Sequence, residues 1–215
     1  MTGAPADKNA DGPAGGASPS CWSCAGPVGA RALFCHTCGA IQPPRAIDHF
    51  ARLGLQPVFD LDGAELERRY FAFQRSFHPD RFASKSARER AFSLQHAVGL
   101  NEAYEVLKSP LKRAEYMLEL EGHAIAGDGG ATIDDPELLM EAMEMREELG
   151  ATGDTAAADA VLAKVRGEIE GCVCELAAAF AAGDIERAVR LTTRYKYLDK
   201  LMEEARHRRF RLAGA

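Results

Sequence analysis

The 215-residue chain has no apolar run long enough to cross a bilayer as a helix, so no membrane partner is expected. It lacks the glycine-rich loop that cradles nucleotide phosphates, and the Gly-x-Ser-x-Gly elbow that carries an activated serine. Nucleotide binding and hydrolysis by this chain are therefore not expected, and it reads as a non-enzyme. Positive charge is in deficit, since 26 Lys and Arg against 32 Asp and Glu leave a net charge of −6, which argues against general nucleic-acid binding. Strand-like alternation is missing outside the cysteine pairs described below, so the expected fold class is all-α. Residues 1–20 hold one lysine, no arginine and no apolar stretch. They read as a disordered leader, not as a secretory signal or an arginine-rich presequence, and a bacterial cytoplasm is expected in preference to the mitochondrial matrix.

What the chain does have is a globular composition, 47% hydrophobic and 27% charged, enough for one or two modest cores. It also has four cysteines in two pairs, Cys21-Trp22-Ser23-Cys24 and Cys35-His36-Thr37-Cys38. Each C-x-x-C knuckle presents two thiolates to one ion, and two knuckles close a tetrahedral site. Gly26-Pro27 and Gly39 are expected to supply the tight turns. Region 21–44 is too short to build a core, so a bound ion would supply its folding energy. One structural Zn2+ on Cys21, Cys24, Cys35 and Cys38 is the expectation. An iron centre on the same thiolates is the alternative. His36 lies inside the second knuckle, but four cysteines already complete the set. The remaining pair, Cys172 and Cys174, falls two residues apart on a long helix and points to different sides, so small buried core thiols are expected there.

A basic amphipathic helix opens with an Asp62/Glu65 capping box and buries Leu66, Tyr70, Phe73 and Phe77 along one stripe. Arg68, Arg69 and Arg75 lie largely off that stripe. Pro79 ends the helix, because it has no amide hydrogen and biases His78 away from helical dihedrals. A second helix begins at a Ser86-x-x-Glu89 box, carries Ala97, Leu100, Tyr104 and Leu107 on one face and stops at Ser109-Pro110. Taken alone, His78 is most simply a polar turn residue and Asp80 a cap.

Two helices joined by a loop presenting His78-Pro79-Asp80 resemble a J-domain, here residues 46–120. The closer similarity is to the HscB-type J-proteins of iron–sulfur cluster assembly. It rests on Asp48-His49-Phe50-x-x-Leu53-Gly54-Leu55, on Arg69-Tyr70-x-x-Phe73-Gln74-Arg75-x-Phe77-His78-Pro79-Asp80-Arg81-Phe82 and on Asn101-Glu102-Ala103-Tyr104. It continues through Pro110-Leu111-x-Arg113-Ala114-Glu115-Tyr116-x-Leu118 and Leu139-Met140-x-x-Met143-Glu144-x-Arg146-Glu147-Glu148-Leu149. The resemblance implies a co-chaperone whose His78, Pro79, Asp80, Arg68, Arg69 and Arg75 engage a DnaK/HscA-type ATPase and stimulate it. Some members also carry a similar double C-x-x-C region ahead of the J-domain. The competing class is a metal-thiolate redox or electron-transfer protein in which the HPD loop is incidental.

Beyond Gly122, which stops a helix begun at Pro110, comes a glycine-rich linker over 123–132. Three helices then form an antiparallel bundle over 134–212. The first has Asp135 as cap, Pro136 at its first position and Gly150 at its end. The second runs from Asp154 to Ala182. Gly183-Asp184 turns into the third, which runs to about Arg209, its basic ending suited to a helix C-terminus. On the first bundle helix, Leu138, Ala142, Met145 and Leu149 form the buried seam. Leu139, Met140 and Met143 then lie on an adjoining face beside Glu144 and Glu147. From the residues alone, all of them fit a core with a solvated acidic side. The resemblance instead implies that Leu139, Met140, Met143, Glu144 and Glu147, joined by Tyr197 on the last helix, bind an IscU-type cluster scaffold protein. The family's further acid beyond Leu149 is replaced by Gly150-Ala151.

Overall fold

The computed structural model describes residues 19–29, 32–123 and 136–214, apart from the side chains of Glu137 and Leu139. Residues 1–18 of the leader, the 124–132 stretch of the linker and Asp135 lie outside the described residues. Seven α-helices are present among those described: α1 His49–Arg52, α2 Gly63–Phe77, α3 Ala87–Lys108, α4 Pro110–Leu120, α5 Pro136–Ala151, α6 Thr155–Ala182 and α7 Ile185–Ala213. No helix is long and apolar enough to cross a membrane among these residues. The chain groups into two compact units. One takes the segment up to Ala46 with His78–His96, and the other takes Ile47–Phe77 with Ala97 onward. The HPD turn and the first part of α3 therefore group with the cysteine-bearing segment.

In the larger unit the family-like motifs are structural fasteners. Asp48 caps α1 by accepting from the Ala51 amide at 2.7 Å, and Phe50 and Leu53 are fully buried. Gly54 turns with φ +66°, and the space a Cβ would need holds the Arg69 guanidinium. The His49 amide donates to the Tyr116 hydroxyl at 2.9 Å. The Arg113 guanidinium, buried, donates to the Leu107 carbonyl at 2.6 Å and caps the end of α3. Tyr70 of α2 stacks on Tyr104 of α3 at 4.1 Å and donates to Asn101. At the head of α2 the capping box forms by half: Asp62 accepts from the Ala64 amide, but Glu65 turns to Arg68 and Arg69. Two guanidiniums outbid the one backbone amide for that carboxylate.

Helices α6 and α7 are each capped by an aspartate, Asp154 and Asp184, and a left-handed Gly183 joins them. Such a cap contributes about 1 kcal/mol. The seam is as patterned: Leu138, Ala142, Met145 and Leu149 are all buried, the last three against Val161, Val165, Leu198, Leu201 and Met202. A second cluster joins Ala114 and Leu118 of α4 to Leu176, Ala188 and Leu191, so α4 shares a core with the bundle. Arg194 bridges Glu141 and Glu168 at 2.5 and 2.7 Å, tying all three bundle helices together.

Several expectations need correction. Helix α5 passes through Gly150 to Ala151, because its end is satisfied by Thr152, whose hydroxyl donates to the Leu149 carbonyl, and by Arg208, which donates to the Thr152 carbonyl. Helix α7 continues past Arg209 to Ala213. Two of its basic residues are held by neighbours, Arg208 by the end of α5 and Arg209 by Asp159 of α6, while Arg211 lies in its last turn. Cys172 is a buried core thiol that donates to the Leu191 carbonyl, and burial pushes its pKa up to about 11. Cys174 is exposed. The two-residue offset that kept the pair from sharing a metal also keeps it from sharing a core.

Candidate functional site

The cysteine centre is built from two superposable turns. In the first, the Cys21 amide donates to the Gly26 carbonyl and the Ala25 amide to the Cys21 carbonyl. In the second, the Cys35 amide donates to the Ala40 carbonyl and the Gly39 amide to the Cys35 carbonyl. Each turn closes on a single bridge, Ser20 with Pro27 and Phe34 with Ile41. The left-handed position is Gly39 in the second turn, at φ +73°, and Ala25 in the first, at φ +57°. Gly26 serves close packing instead: a Cβ there would sit 3.1 Å from the Thr37 hydroxyl and 3.3 Å from the Cys24 sulfur, and those side chains would have to shift.

These turns gather the four sulfurs within 4.8 Å of one another. Cys21 lies 3.7 Å from Cys38, and Cys24 lies 3.7 Å from Cys35. A tetrahedral ion with bonds of about 2.3 Å sets its sulfurs about 3.8 Å apart, so the residues fit such an ion. The charge balance also calls for one. Burial opposes ionisation of Cys21, but the amides of Cys24 and Ser23 and the Gln42 side chain hold its pKa down to about 6. Cys24 has a supporting amide from Gly26, yet the sulfurs around it and burial push it up to about 12. Thiols this close do not all ionise together without a cation between them. His36 is exposed and is not among the clustered ligands.

The HPD tripeptide follows α2 directly. His78 takes extended dihedrals (φ −57°, ψ 129°) and Pro79–Phe82 form one turn of 3-10 helix. His78 Nδ1 accepts from the Asp80 amide at 3.4 Å, so the bland role of turn cap is real. It leaves the tripeptide presented to solvent, with 54% of the His78 and 90% of the Asp80 side chain exposed. Arg68 is exposed and paired with Glu65. Arg69 is spent inside the unit, on Glu65 and the Gly54 carbonyl. Arg75 is exposed.

On α5, Met140 and Met143 are 65% and 64% exposed, and Glu144 and Glu147 beside them face solvent. The all-core reading of this helix therefore fails for both methionines, since the seam is already filled by residues on the other face. The Leu139 side chain lies outside the described residues. Tyr197 is not part of this face. It is 9% exposed, packs in the bundle core and donates its hydroxyl to the Ala142 carbonyl, under the Arg146 guanidinium at 5.3 Å. A buried phenol needs an acceptor, and the Ala142 carbonyl of α5 supplies it. Sequence reasoning also missed Arg146, which covers that ring and pairs with Glu204 at 2.8 Å. Its place in the motif Met143-Glu144-x-Arg146-Glu147 was the available signal.

Comparison with known proteins agrees with this geometry. A family model described as the HSCB C-terminal oligomerisation domain matches residues 134–206. The chain is 35% identical to a mouse protein described as an iron–sulfur cluster co-chaperone HscB, over 87% of this chain and 81% of that one. The crystal structure of human co-chaperone HscB superposes with a TM-score of 0.82 at 32% identity, covering 88% of this chain and 98% of that one. The chaperone HscB of Vibrio cholerae gives 0.66 at 36% identity, over 75% and 96%.

Proposed function

The chain belongs to the HscB family of iron–sulfur cluster co-chaperones, and from that premise we propose that it stimulates ATP hydrolysis by a DnaK-type chaperone while presenting the cluster scaffold protein to it. The observation that carries the reading is the exposed His78-Pro79-Asp80 turn held ready behind a basic helix. A co-chaperone accelerates hydrolysis only through contacts that differ between the chaperone's states. An exposed imidazole and an exposed carboxylate fixed by a rigid proline turn are suited to such contacts. Arg68 and Arg75 steer the encounter with an acidic surface of the ATPase, an effect that weakens with salt. Arg69 contributes by holding the start of α2.

The scaffold docks on Met140 and Met143, with Glu144 and Glu147 at the rim. Methionine adapts to a partner's shape and carries the apolar area, while the acids set rate and partner choice. The four cysteines hold one Zn2+ structurally. Four sulfurs complete the tetrahedron and leave no open position for a substrate, so the ion's contribution is to fold its own segment.

Single-turnover ATP hydrolysis by a purified DnaK-type chaperone tests the reading. Adding the chain together with its scaffold should accelerate turnover beyond either alone. No acceleration by the chain under any of these conditions overturns it.

A further inference from the structure

Within the smaller unit, the cysteine centre is fastened to the segment that carries the HPD turn. Trp22, between Cys21 and Cys24, donates its indole N–H to the Ile41 carbonyl at 2.7 Å. Its ring meets Phe92 of α3 edge-on at 5.9 Å. The Arg88 guanidinium, one turn earlier on α3, lies 4.6 Å over the same indole and 5.6 Å from Phe92. A second fastening runs through Gln42. Its side-chain amide donates to the Ala40 carbonyl at 2.8 Å and to the Cys21 sulfur at 3.5 Å. Its backbone carbonyl accepts from buried His96 of α3 at 2.9 Å. Because the carbonyl is the acceptor, His96 Nε2 carries the proton.

We propose that Trp22 and Gln42 are positioning residues through which the four-cysteine centre fixes the first half of α3 and, with it, the HPD turn. The turn and the helix are contiguous: Phe82 is buried, the Lys85 amide donates to the Phe82 carbonyl, and the reciprocal Ser86/Glu89 box starts α3 at once. Where the head of α3 goes, His78 and Asp80 follow. The cysteine segment has a small apolar cluster of Cys21, Val28, Cys35 and Ala40, which does not hold a fold of this length without an ion. Loss of the ion therefore frees Trp22 and Gln42 together, and the clamp opens from one end. Arg88 and His96 lie at the other end of the same contacts and are not among the clustered cysteines.

The functional part of this inference rests on the chaperone reading above, so the test has one arm that does not. The full chain is examined by amide exchange with mass spectrometry over residues 78–96, with α4 as internal reference. Trp22, the single tryptophan of the chain, reports knuckle integrity by fluorescence. Stripping the ion with a chelator should accelerate exchange over 78–96 about tenfold and leave α4 unchanged. His96→Leu should keep the ion and its tryptophan signal, show the same local acceleration and lose about fivefold in ATPase stimulation. His96→Gln retains a donor and should restore both. Arg88→Ala, at an exposed position that cannot endanger the fold, should give an intermediate effect. Unchanged exchange over 78–96 after ion removal overturns the proposal. So does full stimulation by His96→Leu once local loosening has been recorded. If His78→Gln stimulates like the wild type, the chaperone reading fails instead, and the exchange result still decides the clamp.

Discussion

Replacing Met140 and Met143 together by alanine separates a docking face from a core. Full burial of a methionine side chain stabilises by roughly 1.5–3 kcal/mol. Here about two-thirds of each residue is already in solvent, at 65% and 64% exposure, so little burial is lost on truncation. Alanine is also at least as good a helix former as methionine. The double variant should therefore lose about 1 kcal/mol at most, a few degrees in Tm for a bundle of this size. Met145→Ala is the internal standard. At 6% exposure in the main cluster it should cost about 3 kcal/mol and lower Tm by 10 °C or more. Scaffold affinity should behave in the opposite way. Two apolar anchors at the centre of an interface carry roughly 2 kcal/mol or more, about thirtyfold in Kd. Titration calorimetry with the scaffold, run beside thermal melts, reads both quantities. A folded double variant that binds scaffold as tightly as the wild type refutes the docking face, and one that melts like Met145→Ala refutes the placement of the two side chains.

Other outcomes follow from the same geometry. Ala25→Gly should relieve a left-handed alanine and Gly39→Ala should create one, each by about 1 kcal/mol, or about fivefold in apparent ion affinity in a chelator competition. Equal affinities for the two variants would contradict the turn geometry. Elemental analysis of aerobically purified protein should find about one zinc per chain, whereas thiolate-to-iron absorption bands without zinc would favour the redox alternative. In the native metal-loaded protein, iodoacetamide at pH 8 should modify Cys174 and spare Cys172, which at a pKa of about 11 is about one part in a thousand thiolate and is buried as well. Mass spectrometry of the tryptic peptide assigns the site.

The features legible in the sequence were those written in local chemistry. The Ser86/Glu89 box, the helix stop before Pro79, the aspartate caps and the buried seam of α5 all depend on residues within a few positions of one another. The spacing of the doubled C-x-x-C likewise announced the cluster of four sulfurs. What the sequence did not disclose depends on partners distant along the chain. The burial of Tyr197 is one such case, since its acceptor, the Ala142 carbonyl, lies 55 residues away. Arg69 looked like a free cation until Gly54, 15 residues earlier, took it up. The end of α5 was assigned to a glycine, while the residues that close it are Thr152 and Arg208. The fastening of Trp22 to Arg88 and Phe92 left no periodic trace, since a single tryptophan in a knuckle carries no pattern.

The central claim is that the exposed tripeptide acts on a chaperone ATPase, and one substitution addresses it directly. The polar contacts of His78 lie within its own turn and 54% of its side chain is exposed, so His78→Gln should leave the melting curve and metal content of the chain unchanged. In single-turnover ATP hydrolysis by a DnaK-type chaperone, with scaffold present, that variant should stimulate no better than buffer. A folded His78→Gln variant that accelerates hydrolysis as the wild type does would contradict the account.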